Sequence, residues 1–179
     1  ISTHEQNLGS LFPIMATDIL LAVDPSLRGT GYAVMAHSPS REKVLTYGVI
    51  SNRATLSQSA CLVAIYDSLD AAIQEFRPTA MAIENVIYVQ SYRTAIILGS
   101  ARGVALLAAA RRGLEIHEYA PRRVKQAVVG RGGAQKQQVG FMVRALLGLT
   151  ETPPPDAADA IAIGLTHIQT ARAQRIRSG

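Results

Sequence analysis

The chain has 179 residues, 48% of them hydrophobic and 17% charged, which is enough for one globular domain with its own core. A single cysteine, Cys61, excludes an internal disulfide framework and a thiolate zinc cluster and suits a reducing compartment. The net charge of +5 favours a polyanionic partner, and no unbroken apolar run nears the roughly 18 residues that span a bilayer, so the expectation is a soluble, cytoplasmic protein with no membrane partner.

In chain order, residues 1–14 carry no periodic pattern, and Met15-Ala16-Thr17 reads as the natural start. Residues 1–17 are therefore taken as a leader, disordered or added ahead of that start, and 18–170 as a single domain. The first strand covers 18–24, an apolar run ending in Asp24. Pro25-Ser26-Leu27-Arg28-Gly29-Thr30-Gly31 reads as a turn with two glycines. It lacks the third glycine of a dinucleotide fingerprint and the Gly-Lys-Ser/Thr of a P-loop. Residues 32–37 and 44–51 predict two further strands joined as a meander. Leu62, Ile65, Leu69 and Ile73 then recur at helical spacing within 56–76, and Arg77-Pro78 ends that helix.

Ala80-Met81-Ala82-Ile83-Glu84 is a second short apolar run that closes on an acid. A helix over 91–112 follows, rich in small residues. Its Gly99 and Gly103 stand one turn apart, and each costs about 1 kcal/mol relative to alanine. Close packing against the sheet or a homodimer interface would offset that cost. A fifth strand is expected over 114–119, a short basic helix from Pro121 to Val129, and a helix over 134–147 with Lys136 in its first turn. The loop Gly130-Arg131-Gly132-Gly133 reads either as a phosphate cradle or as an ordinary flexible connection. The last helix starts after Pro153-Pro154-Pro155 and runs to about Thr170, leaving 171–179 as a disordered basic tail.

Two aspartates, Asp156 and Asp159, fall in the first turn of that helix on one face. Taken alone they read as acids that complement the helix dipole. The two acid-ended strands change that reading, because buried strands of open α/β sheets gather ligands at their C-terminal ends. If the strands ending in Asp24 and Glu84 are parallel neighbours and the last helix starts over the same edge, four carboxylates converge. So many charges repel unless cations neutralise them, and all-oxygen ligands select Mg²⁺ or Mn²⁺. Two such ions would suit phosphodiester hydrolysis. Setting these four acids aside leaves 18 basic against 9 acidic residues. No acid lies between Glu118 and Glu151, where Arg122, Arg123, Lys125, Arg131, Lys136 and Arg144 cluster as candidate phosphate contacts. His167, eight residues after Asp159 and about 12 Å further along the helix, reads as a surface residue.

The motifs Asp24-Pro25-Ser26 with Gly29-Thr30-Gly31-Tyr32, Ile83-Glu84, Leu98-Gly99-Ser100-Ala101-Arg102-Gly103-Val104, Tyr119-Ala120-Pro121-Arg122-Arg123-Val124-Lys125-Gln126 and Asp156-Ala157-Ala158-Asp159-Ala160 together resemble the RuvC family of Holliday junction resolvases. The resemblance covers about residues 18–170 in the right order. It implies an α/β, ribonuclease H-like mixed five-stranded sheet flanked by helices, and a homodimer that nicks four-way DNA junctions in pairs with Mg²⁺, for which Mn²⁺ substitutes. It assigns catalysis and metal binding to Asp24, Glu84, Asp156 and Asp159 and backbone contact to Lys125 and Lys136, with branch-migration machinery as a candidate partner. One position departs from the pattern. The family often has an aromatic residue three positions after the strand-end glutamate, where this chain has Ile87, with Tyr88 next; both are candidates for the junction centre. The same acids on the same fold would also serve a structured-RNA nuclease, and a junction-binding scaffold without catalysis is a further reading.

Overall fold

The computed structural model describes residues 18–38, 41–85 and 91–178, so the leader, Ile87 and Tyr88 lie outside the described residues. The elements are β1 (Asp18–Asp24), β2 (Gly29–His37), β3 (Glu42–Ser51), α1 (Gln58–Phe76), β4 (Ala80–Glu84), α2 (Tyr92–Arg111), β5 (Glu115–Tyr119), α3 (Pro121–Val129), α4 (Lys136–Leu147) and α5 (Pro155–Ser178). They form a five-stranded sheet in the order β3-β2-β1-β4-β5. The three consecutive strands β1 to β3 pair antiparallel, whereas β4 and β5, each reached through a helix, pair parallel to β1 and β4. Leu21 aligns with Met81 and Val23 with Ile83, so the acids that end β1 and β4 reach the same edge of the sheet.

Side-chain alternation divides the core between the two faces. Leu21, Val23, Met81 and Ile83 point toward α1 and α2, where they pack with Ile65, Leu69, Ile73 and the alanines of α2. Leu20, Ala33, Met35 and Ala82 point the other way, toward Ile161, Ile163, Leu165 and Ile168 of α5 and toward α3 and α4. Each fully buried Leu, Ile, Val or Met side chain among these contributes about 1.5–3 kcal/mol. α5 lies very close to the sheet: a Cβ on Gly164 would overlap Met35 Sδ and stand 3.2 Å from Ala22 Cβ. From Ala157 to Ile168 every residue but Asp159 is buried, which makes α5 the central helix of that face.

Local chemistry sets the boundaries. Ser57 and Ser91 cap α1 and α2 by accepting the backbone N–H of Ala60 and Thr94. α1 ends on Arg77 in the left-handed region at φ 50°, followed by Pro78. Two expected boundaries move by three residues or more. β2 begins at Gly29, so Gly29 and Gly31 are strand residues and not part of a turn. α5 runs on to Ser178, because Arg172 pairs with Glu42 at 2.5 Å and Arg175 with Asp18 at 3.0 Å, ties that no tail without structure would make.

α2 is, by length and mean hydropathy of 1.3, apolar enough to cross a membrane, although no uninterrupted apolar run is. Its inner face is spent on the core through Ala101, Ala105, Ala108 and Ala109, and Arg102 pairs with Glu118 of β5 at 2.7 Å. Its outer face is exposed at Tyr92, Ile96, Gly99, Gly103 and Leu107. A Cβ at Gly99 or Gly103 would meet nothing within 4 Å, so packing on the sheet does not explain these glycines.

Candidate active site

Four carboxylates arrive at one edge of the sheet from three elements. β1 and β4 end in Asp24 and Glu84, and the first turn of α5 supplies Asp156 and Asp159. Asp24, Asp156 and Asp159 each place a ligand atom within 4.8 Å of the other two, which among the described residues is the one such trio of Asp, Glu, His or Cys. Glu84 stands beside this trio rather than in it. It shares a cleft of about 220 Å³ with Asp24, Asp159, Lys125, Lys136, Pro121, Val124 and Val139.

The electrostatics of the cleft follow from burial. Desolvation is the main cause pushing the Asp24 carboxyl up to about 7, and Glu84, Asp159 and Asp156 add repulsion. Glu84 is also raised, first by burial and then by Asp159. Lys136 opposes both, with its Nζ 3.1 Å from Asp159 Oδ2; that hydrogen bond raises its own pKa. Lys125 lines the same cleft and also lowers Glu84, yet two ammonium groups do not balance four acids. The donor set is all carboxylate oxygen, clustered and partly desolvated, and it suits hard divalent cations better than soft ones.

The basic residues of 118–151 divide into groups. Lys125 and Lys136 line the cleft from α3 and α4. Arg122 lies over the following loop, where a Cβ on Gly132 would come 2.5 Å from its Cγ, and Arg131 is exposed in that loop. Arg123 faces elsewhere: it donates to Thr170 Oγ1 at 3.0 Å and stands 5.9 Å over the Tyr119 ring, tying α3 to the middle of α5.

His167 is not a surface residue. It is buried at 9% exposure, its Nδ1 lies 2.9 Å from Tyr119 Oη, and His117 and His37 surround it at 4.5 and 6.5 Å between ring centroids. The sequence contained the signal: residues 157–165 are small or apolar on every side except at Asp159, the pattern of a helix buried almost all round.

This chain matches the family model for crossover junction endodeoxyribonuclease RuvC over residues 20–167. The chain belongs to the RuvC family. The RuvC of Akkermansia muciniphila is 54% identical over 152 residues, covering 85% of this chain and 91% of the relative, and that of Heliobacterium modesticaldum is 46% identical over 148 residues, covering 82% and 91%. Among solved structures, T. thermophilus RuvC in complex with a Holliday junction substrate superimposes with a TM-score of 0.81 at 33% identity, covering 88% of this chain and 96% of that one. The sheet with its flanking helices is the ribonuclease H-like fold of RuvC. A yeast mitochondrial Holliday junction resolvase shares the fold alone, at a TM-score of 0.65 and 14% identity.

Proposed function

We propose that this RuvC-family protein is a structure-specific endonuclease that resolves four-way DNA junctions by paired, metal-dependent nicking of phosphodiester bonds in recombination and repair. The observation behind this is the carboxylate trio with Glu84 beside it at the sheet edge, on a chain that a RuvC relative matches over 85% of its length. Asp24, Glu84, Asp156 and Asp159 are the residues that would hold Mg²⁺, or Mn²⁺ in its place. A pair of such ions supplies an activated water and stabilises the leaving oxygen.

The chain's own residues do the rest. Buried carboxylates that repel one another favour uptake of cations, because a bound cation offsets both the desolvation that chiefly lifts Asp24 and the repulsion that adds to it. Lys125 and Lys136, at the rim of the same cleft, hold the phosphates on either side of the scissile bond, and Arg122 and Arg131 extend the basic track along the loop. Arg123 takes part through the position it gives α3, given its bond to Thr170. Ile87 and Tyr88, three and four residues beyond Glu84, would act at the junction centre, where an apolar or aromatic group fills or stacks on opened base pairs.

A homodimer supplies the two matched cuts that resolution needs. The outer face of α2 supports it: Tyr92, Ile96 and Leu107 are 87, 56 and 50% exposed, and Gly99 and Gly103 between them admit a second backbone. A DNA substrate suits a cytoplasmic protein, with branch-migration machinery as a partner at the junction.

The test compares Mg²⁺-dependent cleavage of a mobile four-way junction, linear duplex and structured RNA, with cut sites mapped to the nucleotide. Paired, symmetric nicks confined to the junction are expected. Equal cleavage of structured RNA would overturn the junction reading.

A further inference from the structure

Gly29 and Gly31 are two residues apart in β2 and so lie on one face of the strand, the face on which α5 starts. Neither has a positive φ, so what these positions require is space. A Cβ on Gly31 would overlap the carbonyl group of Asp156 and stand 3.1 Å from Ala157 N, both backbone. A Cβ on Gly29 would stand 2.8 Å from Asp156 Oδ2, the free end of a side chain. Gly31 is also the register partner of Asp24. One strand residue therefore abuts the backbone of Asp156 on α5 while it pairs with Asp24 on β1.

The residue between them holds this strand start in place. Thr30 is fully buried; its hydroxyl donates to Ser26 O at 2.5 Å and accepts Ser26 N–H at 3.2 Å, closing the turn that follows Asp24. Asn52 adds a second tie, donating from Nδ2 to Leu27 O at 2.9 Å and to Cys61 O at 3.3 Å. The seat under Asp156 is thus built on an anchored strand that cannot yield to an added side chain.

We infer that Gly29 and Gly31 are positioning residues for the acidic cleft. Gly31 sets how low the first turn of α5 sits over β2, and hence how near Asp156 and Asp159 come to Asp24. Gly29 keeps open the volume in which the Asp156 carboxylate turns toward its neighbours. This rests on the reading that the cleft holds divalent cations. The two sites differ in what an added methyl meets: at Gly31 a whole helix must rise, whereas at Gly29 one carboxylate must rotate.

Calorimetric titration of the full-length protein with Mn²⁺, alongside thermal melts, tests this. Gly29→Ala should leave the metal-free melting temperature and metal-free junction binding unchanged while weakening Mn²⁺ binding at least about tenfold, the scale of lost support behind a metal ligand. The Mn²⁺ concentration for half-maximal cleavage should rise in step. Adding Gly29→Ala to Asp156→Ala should change Mn²⁺ affinity no further, because the glycine acts through that carboxylate. Gly31→Ala should lower both melting temperature and affinity; if it does not fold, Gly29→Ala decides alone. Wild-type Mn²⁺ affinity in Gly29→Ala, or a loss that persists in the Asp156→Ala background, would overturn the inference. Wild-type protein that takes up no Mn²⁺ would instead overturn the metal reading of the cleft, and this inference with it.

Discussion

At the N-terminal end of α5, Asp156 and Asp159 join Asp24 and Glu84 in a cleft where burial and mutual repulsion push Asp24 up to about 7. Toward the other end of the helix, His167 sits among Tyr119, His117 and His37, and burial drives it down to about 4, with the two other histidines adding to the shift. Both groups are held toward their neutral forms by the same desolvation. They differ in what surrounds them. His167 has a hydrogen-bond partner in Tyr119, and the charges beyond it are matched, Arg172 with Glu42 and Arg175 with Asp18. Among the described residues the four carboxylates have one ion pair, Lys136 with Asp159, and Lys125 nearby. One end of the helix fastens the fold, and the other keeps an imbalance that bound cations would relieve.

The contrast is broken most severely by removing a proposed ligand. Asp156→Asn should reduce junction cleavage at least about a hundredfold, the scale of losing one electrostatic stabiliser of a transition state, with junction binding largely kept because backbone contacts supply most affinity. Cleavage rates and gel-shift affinities on the same junction check this. At the fastening end the reverse holds. His167→Ala takes from the buried Tyr119 hydroxyl one of its hydrogen-bond partners, Thr170 being another, and opens a cavity, so unfolding free energy should fall by about 2 kcal/mol by denaturant titration, while cleavage survives at low temperature.

Proton linkage sharpens the comparison, because the two ends run in opposite directions. Asp24 has a folded pKa above its unfolded value of 3.8, so its contribution is fully present below pH 4 and is lost as pH rises through about 7. His167 has a folded pKa below its unfolded value of 6.5, so its contribution is present above that and is lost as pH falls through about 4. Metal-free Asp24→Asn should therefore melt higher than wild type at pH 8 and show no such gain at pH 4, whereas added Mg²⁺ should raise the wild-type melting temperature at pH 8. Melting curves across pH 4–8 give both trends. The smallest expected effect is at the rim: Lys136→Ala should reduce the slope of log affinity against log salt by about 0.9 on duplex arms, the value of one phosphate contact, and an unchanged slope would place the DNA elsewhere.

Much of this was legible along the chain. β1 and β4 are apolar runs that end in acids, and α5 opens with proline followed by two acids at i and i+3; local periodicity and end chemistry suffice to place such elements. The order of strands and helices also implied a mixed sheet with helices on it. Three features depended on contacts between distant segments. Gly29 and Gly31 have the composition of a turn, but pairing with β3, and of Gly31 with Asp24, makes them strand, and α5 occupies the space above them. His167 has the spacing of an exposed position, but β5 and β2 close over it with Tyr119, His117 and His37. Arg123 belongs to the same basic run as Lys125, yet two residues are about 200° apart on a helix, so one turns to Thr170 and the other to the cleft. Residue type and local period determined which elements form and which side chains are the candidates for the chemistry. Which of those side chains meet, and at what distance, was decided by sheet order, register and the height of α5 over the sheet, since those fix separations between residues more than a hundred positions apart.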